Sequence, residues 1–160
     1  MAHVTLQATG YAQRLGVNTL RTAIPTWARI ALGITAIPHL ATGFWAVLAP
    51  ANWYANYPGF GEPLVAAEPP FNAHLASDAG VGFLAVGVLL LLAAIIGDRL
   101  LTFVAAATLF VFSAPHLVFH LMHRVPTMST TGFLTGIVGL VVAIILPVVL
   151  VLTIKVTEGD

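Results

Sequence analysis

Long apolar stretches alternate with short polar segments along the chain, and four of them dominate it. The four stretches cover residues 29–48, 71–96, 100–123 and 131–154. At 1.5 Å of rise per helical residue, each is about long enough to cross the roughly 30 Å hydrocarbon core of a bilayer. Buried helices of a soluble protein are shorter and carry charged faces. The pattern therefore predicts an all-α fold, a four-helix transmembrane bundle that forms a single domain over residues 1–160 in the cell membrane.

The positive charges predict the orientation of this multi-pass bundle. Of the six Arg and Lys residues, five fall on one side of a four-span arrangement, namely Arg14, Arg21, Arg29, Arg99 and Lys155. Only Arg124 falls on the other side. The positive-inside rule then places both termini in the cytoplasm. The loop 49–70, rich in proline, glycine and aromatic residues, would lie outside with the turn 124–130.

Composition supports the membrane assignment and excludes several kinds of chemistry. Charged residues make up 8% of the chain and hydrophobic ones 59%, whereas about a quarter of an ordinary soluble domain is charged. The formal net charge is zero, which argues against a nucleic-acid partner. There is no cysteine, so disulfides, thiolate catalysis, zinc fingers and iron–sulfur clusters are excluded together.

Short sequence words recur between the first and second halves of the chain. Ile37-Pro38-His39-Leu40 in the first span resembles Ala114-Pro115-His116-Leu117 in the third, and residues 82–87 resemble residues 132–136. Spans one and three run in the same direction across the membrane, as do spans two and four. These matching segments therefore indicate a parallel repeat of a helical hairpin. The alternative is chance similarity between apolar helices.

Ionisable residues inside the spans are few, and almost all are histidines. They are His39, His74, Asp78, His116, His120 and His123. A charged group in hydrocarbon is costly, so each of them needs a partner or a function. On the third span the histidines stand at i, i+4 and i+7, on one stripe of the helix, and His74 and Asp78 share a stripe on the second.

The heights of these residues predict a ladder between neighbouring spans. His74 would meet His123, Asp78 would meet His120, and His39 would lie near His116, all in the outer half of the bilayer. Imidazole and carboxylate groups are ligands for zinc, iron and copper.

The predicted metal site consists of histidines and one aspartate from two spans. Its candidate ligands are His74, Asp78, His116, His120 and His123. Asp78 would serve either as a ligand or as a general base for metal-activated water.

Two other roles remain open for the same residues. His39 and His116, on spans that run in parallel, could be the two axial ligands of a b-type haem in an electron-transfer protein. A purely structural role is the other alternative, in which Asp78 pairs with His120 and holds two helices together. The helix dipole also favours an anion at the position of Asp78 and cations at those of the third-span histidines.

The segment Phe71-Asn72-Ala73-His74-xxx-Asp78 and the segment Pro115-His116-xxx-His120-xx-His123 together resemble small four-span membrane proteins of actinobacterial type, loosely like the DoxX group. That resemblance implies a four-span fold and does not indicate a substrate. The H-x-x-x-D and H-x-x-x-H spacings are also similar to those of membrane hydrolases of the alkaline-ceramidase kind. Those enzymes hold zinc but have seven spans, so the similarity implies local chemistry alone.

The sequence therefore supports three functions and leaves open whether the chain is an enzyme. The first is a metal-binding membrane protein, the second the haem protein, and the third an accessory subunit of a larger membrane complex. The expected partners are the lipid bilayer and other membrane subunits or further copies of the chain. A proton path is disfavoured because the apolar segment 89–96 offers no polar continuation.

Overall fold

The structure is a computed structural model, and it describes residues 23–156. This part of the chain folds into five helices: α1 (Thr26–Leu48), α2 (Pro50–Asn56), α3 (Ala73–Ile96), α4 (Arg99–Met122) and α5 (Thr130–Val156). Within residues 23–156 there is no β-strand, only an isolated bridge between Ala23 and Asp98. The predicted cytoplasmic positions of Arg14 and Arg21 lie outside the described residues.

The four long helices confirm the predicted all-α, four-span bundle. Each of α1, α3, α4 and α5 is long and apolar enough to cross a membrane. The largest difference from the predicted boundaries is at the start of α1, which begins at residue 26 rather than 29. The chain is therefore a multi-pass membrane protein, while the side on which its termini lie stays a prediction. Below, residues 49–72 and 123–129 define the loop end of the bundle, and residues 23–25, 97–98 and 154–156 define its terminal end.

The loop 49–70 is not wholly irregular, because it contains the short helix α2. Pro50 occupies the first turn of α2, where a missing N–H costs nothing. Trp53 is buried against Ala46 of α1 and Ala76 of α3. This tertiary burial of an indole, which periodicity over seven residues does not reveal, explains why sequence analysis missed the helix.

Short polar side chains determine where the spans begin. The Asn72 side chain accepts a hydrogen bond from the Leu75 N–H, at 3.1 Å, and so caps α3. Asp98 caps α4 in the same way through the Leu101 N–H, at 3.0 Å. Gly97 ends α3 in the left-handed conformation, with φ 68°, which a side chain would disfavour. Gly97 and Asp98 together therefore form the tight turn between the second and third spans.

Glycines bring α1 and α3 into close contact. A Cβ added to Gly43 would lie 2.7 Å from the backbone nitrogen of Leu84, and one added to Gly87 would lie 2.9 Å from that of Leu40. A Cβ on Gly80 would lie 2.9 Å from Ala46. Small residues allow membrane helices to approach closely and gain dispersion energy that lipid tails do not already supply. This contact makes α1 and α3 the most extensively packed pair in the bundle.

The remaining helices pack around this pair. Helix α4 contacts both α3 and α5, and α5 touches α1 only slightly, so the ring of four helices closes weakly between the first and last spans. The main hydrophobic core lies toward the terminal end. Its buried residues are Ile24, Ala28, Leu32, Ala36, Val86, Leu90, Ala93, Ala94, Ala105, Leu109, Leu150 and Ile154. The histidines of the spans and Asp78 lie nearer the loop end.

Two arginines at the terminal end bind helix carbonyls in matching ways. Arg29 of α1 donates to the carbonyls of Ala94 and Ile95, at 2.8 and 2.6 Å, in the last turn of α3. Arg99 of α4 donates to the carbonyl of Ile154, at 2.5 Å, near the end of α5. A cation at the C-terminal end of a helix complements the helix dipole.

The two arginines do not stand in the register of the repeated segments, so the hairpin repeat stays a prediction. Ten residues separate Arg29 from His39, whereas seventeen separate Arg99 from His116. The difference of seven residues is about two helical turns. The two hairpins therefore share their capping at the terminal end, but the two histidines lie at different heights.

The close contact between α1 and α3 makes a direct prediction. Gly43→Ala places a methyl group against the backbone of α3, and we expect a loss of about 1–3 kcal/mol in the free energy of unfolding. Gly139→Ala is the matched control, because nothing lies within 4 Å of its added Cβ. In a helix interior that exchange should be neutral or stabilising by up to about 1 kcal/mol. Denaturant titration of the protein in detergent measures both, and equal losses would contradict the packing described here.

Candidate functional site

His39 is buried in the middle of the bundle, with 9% of its surface exposed. Its Nδ1 lies 2.8 Å from the carbonyl of Thr35, and because a carbonyl only accepts, Nδ1 must carry the proton. The preceding residue, Pro38, has no N–H to give to the helix. The His39 imidazole is thus held by the carbonyl one turn earlier on its own helix.

Two phenylalanines surround His39 and separate it from His116. The His39 ring lies 5.9 Å from that of Phe83 and 6.3 Å from that of Phe112, measured between centroids. The Phe112 ring lies in turn 6.4 Å from that of His116. The two histidines therefore both contact Phe112, which stands between them.

This ring packing bears directly on the haem hypothesis. Two axial ligands must face each other across a porphyrin, with an open slot between their imidazoles. Here Phe83 and Phe112 pack 5.0 Å apart beside His39 and occupy that space. The residues around His39 and His116 do not fit a haem.

His116 and His120 form the closest pair of imidazoles among the described residues. They stand one turn apart on α4 and continue its buried stripe beyond Ser113 toward the loop end. Their Nε2 atoms are 2.9 Å apart, and their ring centroids are 4.8 Å apart. Both side chains are partly buried. The two nitrogens therefore point at one common position.

His74 and Asp78 pair with each other on α3 rather than with α4. The His74 Nε2 lies 3.3 Å from an Asp78 carboxylate oxygen, and the two side chains are 83% and 60% exposed. Gly80, which faces α1, is only two residues from Asp78, so the two point in nearly opposite directions around the helix. His74 and Asp78 consequently lie on the outward face of α3.

His123 also lies outside the bundle interior. It is exposed, its ring stacks on that of Phe119 with centroids 4.6 Å apart, and its Nδ1 donates to the carbonyl of Phe119, at 3.0 Å. Its contacts are thus with the last turn of its own helix.

The structure does not assemble the five predicted metal ligands into one cluster. Among residues 23–156, no group of three or more His, Asp or Glu side chains lies close enough to hold a metal ion. These residues make their contacts within their own helices. The predicted contacts between α3 and α4, His74 with His123 and Asp78 with His120, are therefore absent from this part of the chain. Within the described residues, four of the predicted ligands instead form two separate pairs, His116 with His120 and His74 with Asp78.

The loop end is covered by an ordered cap built around α2 and the residues that follow it. The Trp45 indole donates to the Asn52 side chain, at 2.8 Å, and the Trp53 and Tyr57 rings pack 5.7 Å apart. Burial raises the pKa of the Tyr57 phenol above its ordinary value, while a hydrogen bond with Thr42 acts in the opposite direction. Tyr57 thereby connects the cap to the last part of α1.

Glu62 connects the cap to the fourth span. Its carboxylate accepts hydrogen bonds from the Ser129 N–H, at 3.1 Å, and from the Ser129 hydroxyl. The same hydroxyl accepts from the Gly132 N–H, at 3.0 Å, and so caps α5. A Cβ on Gly132 would lie 3.0 Å from the Glu62 carboxyl carbon, so the glycine leaves room for this contact.

Sequence analysis did not single out Glu62 or Ser129. The Ser129-x-x-Gly132 start of α5 is a visible N-cap signal. Its partner lies 67 residues away, a separation that local patterns do not reveal.

No family model matches this chain, and neither a curated protein nor a solved structure matches it. The resemblance to small actinobacterial and DoxX-type membrane proteins stays a prediction.

The Glu62 contact makes a prediction about pH. The hydrogen bonds from the Ser129 hydroxyl and N–H hold the pKa of the Glu62 carboxyl below its ordinary value. A group whose pKa is lowered on folding stabilises the fold above its unfolded pKa and loses this contribution as the pH falls through the folded pKa. We therefore expect Glu62→Gln to lower the unfolding temperature at pH 7 and to reduce its decline below about pH 4.5.

Thermal unfolding in detergent from pH 7 to pH 3.5 measures this effect. Glu68→Gln, which removes the other carboxylate of the same loop, is the charge-matched control and should lower the unfolding temperature at pH 7 less than Glu62→Gln does. Parallel profiles for the wild type and the Glu62 variant would contradict a role for Glu62 in holding the cap.

Proposed function

We propose that this protein binds a transition-metal ion through His116 and His120 at the loop end of a four-span membrane bundle. The predicted orientation would place this ion near the outer face of the membrane. The observation that carries the proposal is the 2.9 Å separation of the two Nε2 atoms.

The separation is close to that of two nitrogens bound to one ion. With metal–nitrogen bonds of about 2.0–2.1 Å, two ligands at a right angle lie about 2.9 Å apart, and two at the tetrahedral angle lie about 3.4 Å apart. Without a metal, the pair shares one proton, since one Nε2 must donate and the other accept. An ion would replace that proton without large movement of either ring.

The ligand type narrows the choice of metal. Neutral imidazole suits zinc, copper, iron and nickel, and copper(II) binds such ligands most tightly in the divalent series. Two protein ligands leave further positions on the ion for water or for an external ligand. The partly buried position of both rings supports such access.

Asp78, His74 and His123 take no direct part in this site. Asp78 and His74 are paired on the outward face of α3, and His123 bonds the carbonyl of Phe119. The proposal therefore keeps two of the five ligands predicted from sequence, and it assigns no reaction to the ion.

Metal titration of the purified protein tests the proposal. We expect one copper(II) or zinc ion per chain at pH 7.5, with weaker binding at pH 6 because protons compete for the imidazoles. His116→Ala or His120→Ala should each weaken binding at least about tenfold, since even a supporting partner of a metal ligand contributes that much.

Two other histidines provide matched controls. His74→Ala and His123→Ala remove exposed imidazoles from the loop end and should leave the affinity unchanged. If metal binds equally well without His120, or not at all to the wild type, the proposal fails. An accessory role in a membrane complex would then be favoured, and subunits that co-purify would identify it.

A further inference from the structure

One buried polar atom in the core of the cap has no partner in the described part of the chain. Trp53 is 6% exposed, its Nε1 is fully buried, and no acceptor among residues 23–156 forms a hydrogen bond with this nitrogen. An indole N–H only donates, so it requires an acceptor atom. Buried side-chain donors almost always have such a partner, either in the protein or in an ordered small molecule. The Trp53 N–H therefore indicates an acceptor that the described residues do not supply.

The other indole at the cap makes the hydrogen bond that Trp53 lacks. The Trp45 N–H donates to the Asn52 side chain, at 2.8 Å, although the Trp45 ring is only partly buried. A partly exposed indole can also bond to solvent, whereas a buried one needs its partner inside the structure. The more deeply buried of the two indoles is thus the one without a partner.

The side chains around Trp53 are apolar or already engaged. The indole packs against Ala46 of α1 and Ala76 of α3, whose methyl groups contain no acceptor. The Tyr57 ring lies 5.7 Å from that of Trp53, between centroids, but the Tyr57 phenol is hydrogen-bonded with Thr42. These neighbours enclose the N–H without satisfying it.

The charges of this segment determine which class of acceptor fits. Residues 49–76 contain no Lys or Arg, and their carboxylates are those of Glu62 and Glu68. A buried anion without a cation is strongly disfavoured, and a cation cannot accept a hydrogen bond. A neutral oxygen, such as that of water or of a carbonyl group, satisfies the indole without placing a charge in the core of the cap.

We propose that the cap encloses a binding site for one neutral acceptor oxygen, which the Trp53 N–H holds. The cap covers one end of the four spans, at the level of the polar interface of the bilayer, where water and the ester carbonyls of lipids both occur. The two sources offer the same hydrogen-bond chemistry to the indole. His116 and His120 take no part in this site, so it stands whether or not they bind a metal.

Ultraviolet resonance Raman spectroscopy tests whether the Trp53 N–H is hydrogen-bonded, because one indole band reports this bond directly. The spectrum of the wild type minus that of Trp53→Phe isolates the band of Trp53, and Trp45→Phe isolates that of Trp45 as the matched reference. We expect the Trp53 band at the hydrogen-bonded position, as for Trp45. A band at the position of a free N–H, or of one that faces only the Tyr57 ring, would overturn the proposal.

Nuclear magnetic resonance of the protein in lipid nanodiscs identifies the acceptor and keeps Trp53 in place. The chain has three tryptophans. With isotope-labelled indoles, Asn52→Ala shifts the Trp45 signal and Trp27→Phe removes that of Trp27, so the remaining signal belongs to Trp53. A cross-peak between the Trp53 N–H and water identifies water as the acceptor, and a cross-peak to lipid protons identifies a lipid carbonyl. A Trp53 N–H with neither cross-peak would contradict the site.

Discussion

The close contact between α1 and α3 is the constraint on which the rest of the structure depends. Gly43, Gly80 and Gly87 let the two backbones approach to distances that a methyl group would prevent. In a membrane, helices gain little by leaving lipid, so this fit of surfaces must supply much of the attraction. Once these glycines face α1, the rotation of α3 about its axis is fixed. Its inward and outward residues follow from that rotation.

The bundle divides into two halves with different roles. Toward the terminal end, small and aliphatic residues form a closed core, and two arginines bind the last carbonyls of α3 and α5. Toward the loop end, aromatic rings and imidazoles replace that core, and an ordered cap reaches α5 through Glu62. The closed apolar core and the imidazoles are therefore separated along the axis of the bundle.

The two histidine pairs differ because their helices present them to different surroundings. His116 and His120 continue the buried stripe of α4, where both are partly buried and their Nε2 atoms lie 2.9 Å apart. His74 and Asp78 have the same spacing on α3 but lie on the outward face. The same i, i+4 geometry thus gives a partly buried pair of imidazoles in one place and an exposed acid–base pair in the other.

The sequence by itself determined the number, type and bounds of the spans, because about twenty apolar residues must be helical to satisfy their backbone in lipid. It also placed His116 with His120, and His74 with Asp78, on one stripe of their helices, although it assigned their contacts to the neighbouring span. Only the tertiary structure decided which way each helix faces. Helix α3 is apolar around most of its circumference, so hydrophobicity did not distinguish its two faces, and Asp78 was expected to point inward. The backbone contact at Gly80 turned it outward, and the long-range partners of Trp53 and Glu62 likewise appeared only once distant segments had packed together.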